Sequence, residues 1–126
     1  MLNYQNTSQN LTVLASAART ATPTIAEQSS QGCKGVVVVI DVTAASATPS
    51  VVFTIKGKDP LSTQTYTILA SAAITGIGTT ILKVYPGLTA SANAVASDVL
   101  PETWTITAVH ADADSITYSL VALLIT

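Results

Sequence analysis

The C-terminal part of the chain alternates in steps of two. Trp104, Ile106 and Ala108 alternate with Thr103, Thr105 and Thr107. After Ala111-Asp112-Ala113-Asp114, residues Ile116, Tyr118, Leu120, Ala122 and Leu124 resume the same period. A period of two belongs to pleated strand, whereas an amphipathic helix needs apolar residues three and four apart. Apolar-in with Thr/Ser-out is the pattern of a sheet with one dry face. The spacing predicts a C-terminal hairpin with its turn at residues 111–114. Towards the end Val121, Leu123 and Ile125 make the second face apolar as well. One sandwich has one core, so that second face needs a partner or an overlying loop.

The same reading extends upstream. Gly35 to Thr43 contains the run Val36 to Ile40, which predicts a central strand buried on both faces at one end. Val51, Phe53 and Ile55 share a face, and the turn-rich Gly57-Lys58-Asp59-Pro60-Leu61-Ser62 joins them to Thr65–Leu69 in a hairpin. Thr79 to Tyr85 is a further strand stopped by Pro86-Gly87, and Leu11 to Ala15 a short first one. Segments 70–77 and 88–99, rich in small residues, leave helix and loop undecided. Residues 1–10 are Asn- and Gln-rich without apolar period and read as a flexible N-terminal arm. Residues 11–126 then form a single domain. Six or seven strands without long helices predict an all-β, antiparallel β-sandwich of immunoglobulin-like or jelly-roll topology. Phe53, Ile55, Ile40, Trp104, Ile106, Tyr118 and Leu120 are the expected core.

Composition narrows the function classes. Charged residues are 10% of the 126, against roughly 25% in an ordinary soluble domain. So few charges suggest a surface covered by other protein or hydrated through hydroxyls. The net charge of −2 and the scattered cations Arg19, Lys34, Lys56, Lys58 and Lys83 argue against nucleic acid, which needs a basic stripe. No apolar run reaches the roughly 18 residues of a membrane helix. The polar start lacks a secretory leader, which implies synthesis in the cytoplasm. A lone Cys33 cannot staple the fold.

Candidate chemistry is sparse. His110, Asp112 and Asp114 lie at alternate positions and are the weak candidates for a metal site. Two carboxylates and one imidazole make a poor calcium or zinc set, and Asp at a hairpin tip is ordinary turn chemistry. Cys33 reads as a small buried hydrophobe, and Asp59-Pro60 as a turn. Tyr66 and Tyr118 fall on inward sets beside Trp104, which leaves little for stacking on a sugar. No catalytic residue and no cofactor is expected.

At Ser50-Val-Val-Phe-Thr-Ile-Lys-Gly-Lys-Asp-Pro-Leu-Ser, at Tyr66-Thr-Ile-Leu and at Leu100-Pro-Glu-Thr-Trp-Thr-Ile-Thr-Ala-Val-His-Ala-Asp-Ala-Asp-Ser-Ile-Thr-Tyr-Ser, the chain resembles small virion proteins of tailed bacteriophages. The resemblance is one of texture and short phrases, without a diagnostic motif. It implies a capsid decoration (cement) protein, bound to the major capsid protein on the outer head surface and often trimeric. The alternatives are a tail-tube or head–tail connector component, or a carbohydrate-binding sandwich on the virion surface. The expected contact residues of a homo-oligomer, a trimer by this resemblance, are Val121, Leu123 and Ile125.

Overall fold

The structure is a computed structural model and describes residues 8–126. Among them nine strands occur: β1 (Gln9–Arg19), β2 (Gln28–Ser29), β3 (Gly35–Ala45), β4 (Val51–Lys58), β5 (Thr65–Ala70), β6 (Gly78–Val84), β7 (Val95–Ala96), β8 (Thr103–His110) and β9 (Ile116–Ile125). They form two packed sheets. Sheet A has the order β1-β9-β3-β6-β7 and sheet B the order β2-β8-β4-β5. All pairs are antiparallel except the short β6–β7 pair.

Every connection crosses between the sheets except β4–β5 and β6–β7. The order β1-β9-β3-β6 over β2-β8-β4-β5 is that of a jelly roll, which selects one of the two topologies left open by the sequence. The β4–β5 hairpin forms where expected, with Asp59 at its tip accepting the Leu61 N–H at 2.9 Å. The expected C-terminal hairpin does not form. β8 pairs with β4 and β2, β9 pairs with β3 and β1, and residues 111–115 carry the chain from one sheet to the other. Both strands point their apolar sets into one core from opposite sides, and alternation alone cannot separate that from a pair within one sheet.

The core forms where these inner faces meet. All seven expected core residues are fully buried, with the Phe53 and Tyr118 rings edge-to-face at a centroid distance of 5.1 Å. Segments 71–77 and 88–94 are loops, and Val95–Ala96 adds a two-residue strand. Residues 1–7 of the expected arm lie outside the described residues. Gln9 and Asn10, by contrast, already belong to β1, opposite Leu124 and Leu123.

Candidate interaction surface

The segment singled out for metal chemistry is an inter-sheet turn with its carboxylates engaged. Asp112 Oδ1 accepts the Asp114 N–H at 3.1 Å, and Asp114 Oδ2 accepts the Thr48 N–H at 3.1 Å and its hydroxyl at 3.3 Å. No group of three or more His, Cys, Asp or Glu gathers among the described residues. His110 turns the other way. Its Nε2 lies 2.9 Å from the Tyr118 hydroxyl, and its backbone N–H donates to Thr22 Oγ1 at 3.0 Å.

Arg19, at the end of β1, completes this cluster. Its guanidinium sits 4.6 Å from the Tyr118 ring centroid and donates to the carbonyls of Tyr118 and Ala15, each at 2.7 Å. His110 Nδ1 is buried and meets no hydrogen-bond partner. A proton on Nε2, given to the Tyr118 oxygen, therefore satisfies the neutral ring best. Burial holds His110 below its ordinary pKa, with Arg19 adding to the effect and Asp112 opposing it. Burial likewise raises Tyr118, which Arg19 partly offsets. Tyr118 has no exposed surface, so the cluster works as a clamp on β1 rather than as a reactive group. Nothing in the local sequence around Arg19 announces that role.

The other candidates are quickly placed. Cys33 is buried beside the β3 start and closes a turn by donating its N–H to the Ser30 carbonyl at 2.9 Å. Backbone and hydroxyl donors from Leu61 and Ser62 hold the Asp59 carboxyl below its usual range, as a turn aspartate should be. Trp104 is fully buried in the core. Tyr66 lies in the inner-face row with Gly57 and Trp104, as expected, but stays 49% exposed. It lies opposite Gly57, where its ring takes the space a side chain would fill, at the end of sheet B.

Open clefts among the described residues include two of note. One of about 360 Å³ is lined by residues 72–80 and Asn93 and contains no ionisable side chain. The second, about 270 Å³, lies among Val37, Lys83, Tyr85, Leu88 and Ile125. It opens onto the outer face of sheet A.

That outer face is the distinctive surface of the molecule. Register places Val121, Val39 and Ile81 side by side on β9, β3 and β6. The next row towards the cleft is Leu123, Val37 and Lys83, and the row on the far side is Ser119, Asp41 and Thr79. Ile81 is 47% exposed, and Val37, Val39, Val121 and Leu123 are half-buried by their neighbours alone. The five-residue run in β3 thus divides into Val36, Val38 and Ile40 in the core and Val37 and Val39 on this face. Val121, Leu123 and Ile125, expected at a contact, all lie on it. Asp41, Ile81 and Lys83 were missed, because the parity of a strand does not reveal which strands will be its neighbours. The chain matches no family model, and no curated protein and no solved structure is similar to it.

Proposed function

We propose that this protein is a non-enzymatic assembly module whose contact surface is the outer face of sheet A. In its finer form the proposal is a decoration protein on the outer surface of a tailed-phage head, a reading that rests on the resemblance described above. The observation that supports assembly is the aliphatic row Val121–Val39–Ile81, flanked by Leu123 and Val37, across three adjacent central strands. Contiguous exposed aliphatic surface rimmed by polar residues is characteristic of protein contact sites. Jelly rolls serve in viral capsids and in lectins alike, so fold analogy alone does not choose between them. The balance of exposed side chains supports the assembly reading. Leu61, Ile77, Ile81, Leu88, Val99 and Val109 are exposed aliphatics, against Tyr66 as the one exposed large aromatic among the described residues. Sugar platforms need aromatic faces, so the assembly reading is the stronger.

Co-sedimentation of the purified chain with emptied heads of the phage that encodes it tests the proposal. Saturable binding at a fixed copy number, together with heads that withstand greater heating, is the expected result. Absence of binding would remove the decoration role. Retention of the chain by a glycan array, with no head binding, would favour the lectin alternative.

A further inference from the structure

The outer face of sheet A is self-complementary in charge as well as apolar. Its middle row is aliphatic, Lys83 stands in the row on one side, and Asp41 stands in the row on the other. Val37, opposite Lys83, and Asp41 are four residues apart along β3, a separation of about 14 Å at strand rise. Lys83 and Asp41 therefore cannot pair within one copy. Among the described residues the ion pair formed is Lys58 with Glu27, and Asp41 receives the Thr79 hydroxyl at 3.4 Å. No other charged side chain occupies an outward position on β3, β6 or β9.

We infer that a second copy of this chain covers this face, in a twofold dimer whose axis crosses the strands along the Val121–Val39–Ile81 row. A rotation about that axis exchanges the flanking rows. Lys83 of one copy then lies over the Thr79–Asp41 row of the other, and by symmetry the reverse pair forms as well. Stacked sheets pack about 10 Å apart, within reach of a lysine side chain that extends from one sheet towards a carboxylate on the next. The aliphatic row packs on its own symmetry mate, which is the isologous arrangement of most homodimers. A foreign surface would have to supply both charges in the right places, whereas a second copy supplies them by construction. In the dimer the face of sheet A is the contact between copies, so attachment to a head would use surfaces outside it. This inference rests on the reading of the face as a contact surface and replaces the expected threefold with a twofold.

The test is sedimentation equilibrium of the full chain across a range of concentrations, for the wild type, Lys83→Glu, Asp41→Lys and the double variant. The wild type is expected to be a dimer. Each single charge reversal places like charges opposite each other and should raise the dissociation constant about tenfold or more. The double reversal should restore dimerisation, with thermal midpoints at low concentration unchanged throughout. A monomeric or trimeric wild type overturns the inference, as do single variants that dimerise normally or a double variant that stays dissociated. Val39→Asp separates this failure from that of the broader proposal. A monomeric wild type that loses head binding on Val39→Asp refutes the dimer and leaves the assembly surface standing. A dimeric wild type that never binds heads leaves the dimer and its contact face standing and removes the decoration role.

Discussion

The two sheets share one core and differ on their outer faces. On sheet B the outward rows are Thr54 beside Thr107, Lys56 beside Thr105, and Thr103 beside Ser29, with one aliphatic pair, Val52 beside Val109, at the end of the sheet. On sheet A the corresponding central rows are Val39 with Val121 and Ile81, and Val37 with Leu123. Backbone geometry and inner packing are alike in kind, so nothing about the jelly roll requires the difference. A sheet facing water presents hydroxyls and amines on alternate positions, as sheet B does in its central rows. Sheet A abandons that alternation on three adjacent strands. The fold therefore needs only the inner faces, and the outer aliphatics of sheet A are surplus to it. Such surplus is the reason for assigning that surface a partner.

If the inner layer is common property, its cost of damage should not depend on the sheet that is cut. Trp104→Ala on sheet B should cost about 3–5 kcal/mol and Leu120→Ala on sheet A about 2–5 kcal/mol, the usual penalties for emptied core sites. Both side chains are fully buried. Chemical denaturation gives the values. A Leu120→Ala protein that unfolds at no cost would mean that sheet A is not part of the same cooperative unit.

The edges sharpen the contrast at lower energy. The end of β1 is fastened to β9 by Arg19, which donates to the Tyr118 carbonyl at 2.7 Å and lies over the Tyr118 ring, while a second 2.7 Å bond to the Ala15 carbonyl stays within β1. On the sheet B side the Lys58–Glu27 ion pair ties the segment before β2 to β4, and the Glu27 side chain is 53% exposed. Arg19→Ala should lose about 1–2 kcal/mol, since charged hydrogen bonds and a cation–π contact go together. Glu27→Gln should lose under about 0.5 kcal/mol, and less in salt. Equal losses would erase the distinction between the two fastenings.

The β1 clamp also predicts how sheet A responds to acid. Folded His110 lies below its ordinary value of 6.5 because burial and Arg19 disfavour the imidazolium. As pH falls, the unfolded chain takes up the proton first, so this contribution to stability is complete above about 6.5 and is lost progressively below it, through the folded value. Protonation would also put an N–H on the buried, unpartnered Nδ1. Urea titrations at about pH 7.5 and pH 5.5 should show the wild type weakening on acidification more than His110→Gln. Parallel losses in the two proteins would show that the imidazole carries no part of it.

Legibility in the sequence followed the range of the interaction. Strand positions, the β4–β5 hairpin and the buried partners Phe53, Trp104 and Tyr118 follow from periods and turns that a few residues define. The separation of β8 from β9 was not legible, because an inward residue in either sheet sees the same apolar environment. Tyr66 keeps the inward side its period gave, but its exposure was not legible, because it sits against Gly57 at the open end of the sheet. The Arg19–Tyr118–His110 clamp joins residues from three strands, so no window of sequence contains it. For the contact face the apolar parity of Val121, Leu123 and Ile125 was visible. Its extension over Val39 and Ile81 depended on which strands became neighbours.

The smallest effect on folding tests the outer faces most directly. Val and Thr have nearly the same shape, so Val39→Thr and Thr105→Val exchange a methyl for a hydroxyl without making a cavity or a clash. Both positions are outward, at the centres of their sheets. In the isolated protomer each exchange should change stability by no more than about 0.5 kcal/mol, as surface substitutions do. Association should separate them. A partner bound to the folded state alone adds stability that grows with its concentration. The wild-type and Thr105→Val thermal midpoints should therefore rise with protein concentration, whereas that of Val39→Thr should rise less. If the three proteins show the same concentration dependence, the aliphatic face of sheet A is as idle as the hydroxyl face of sheet B, and its composition has no bearing on assembly.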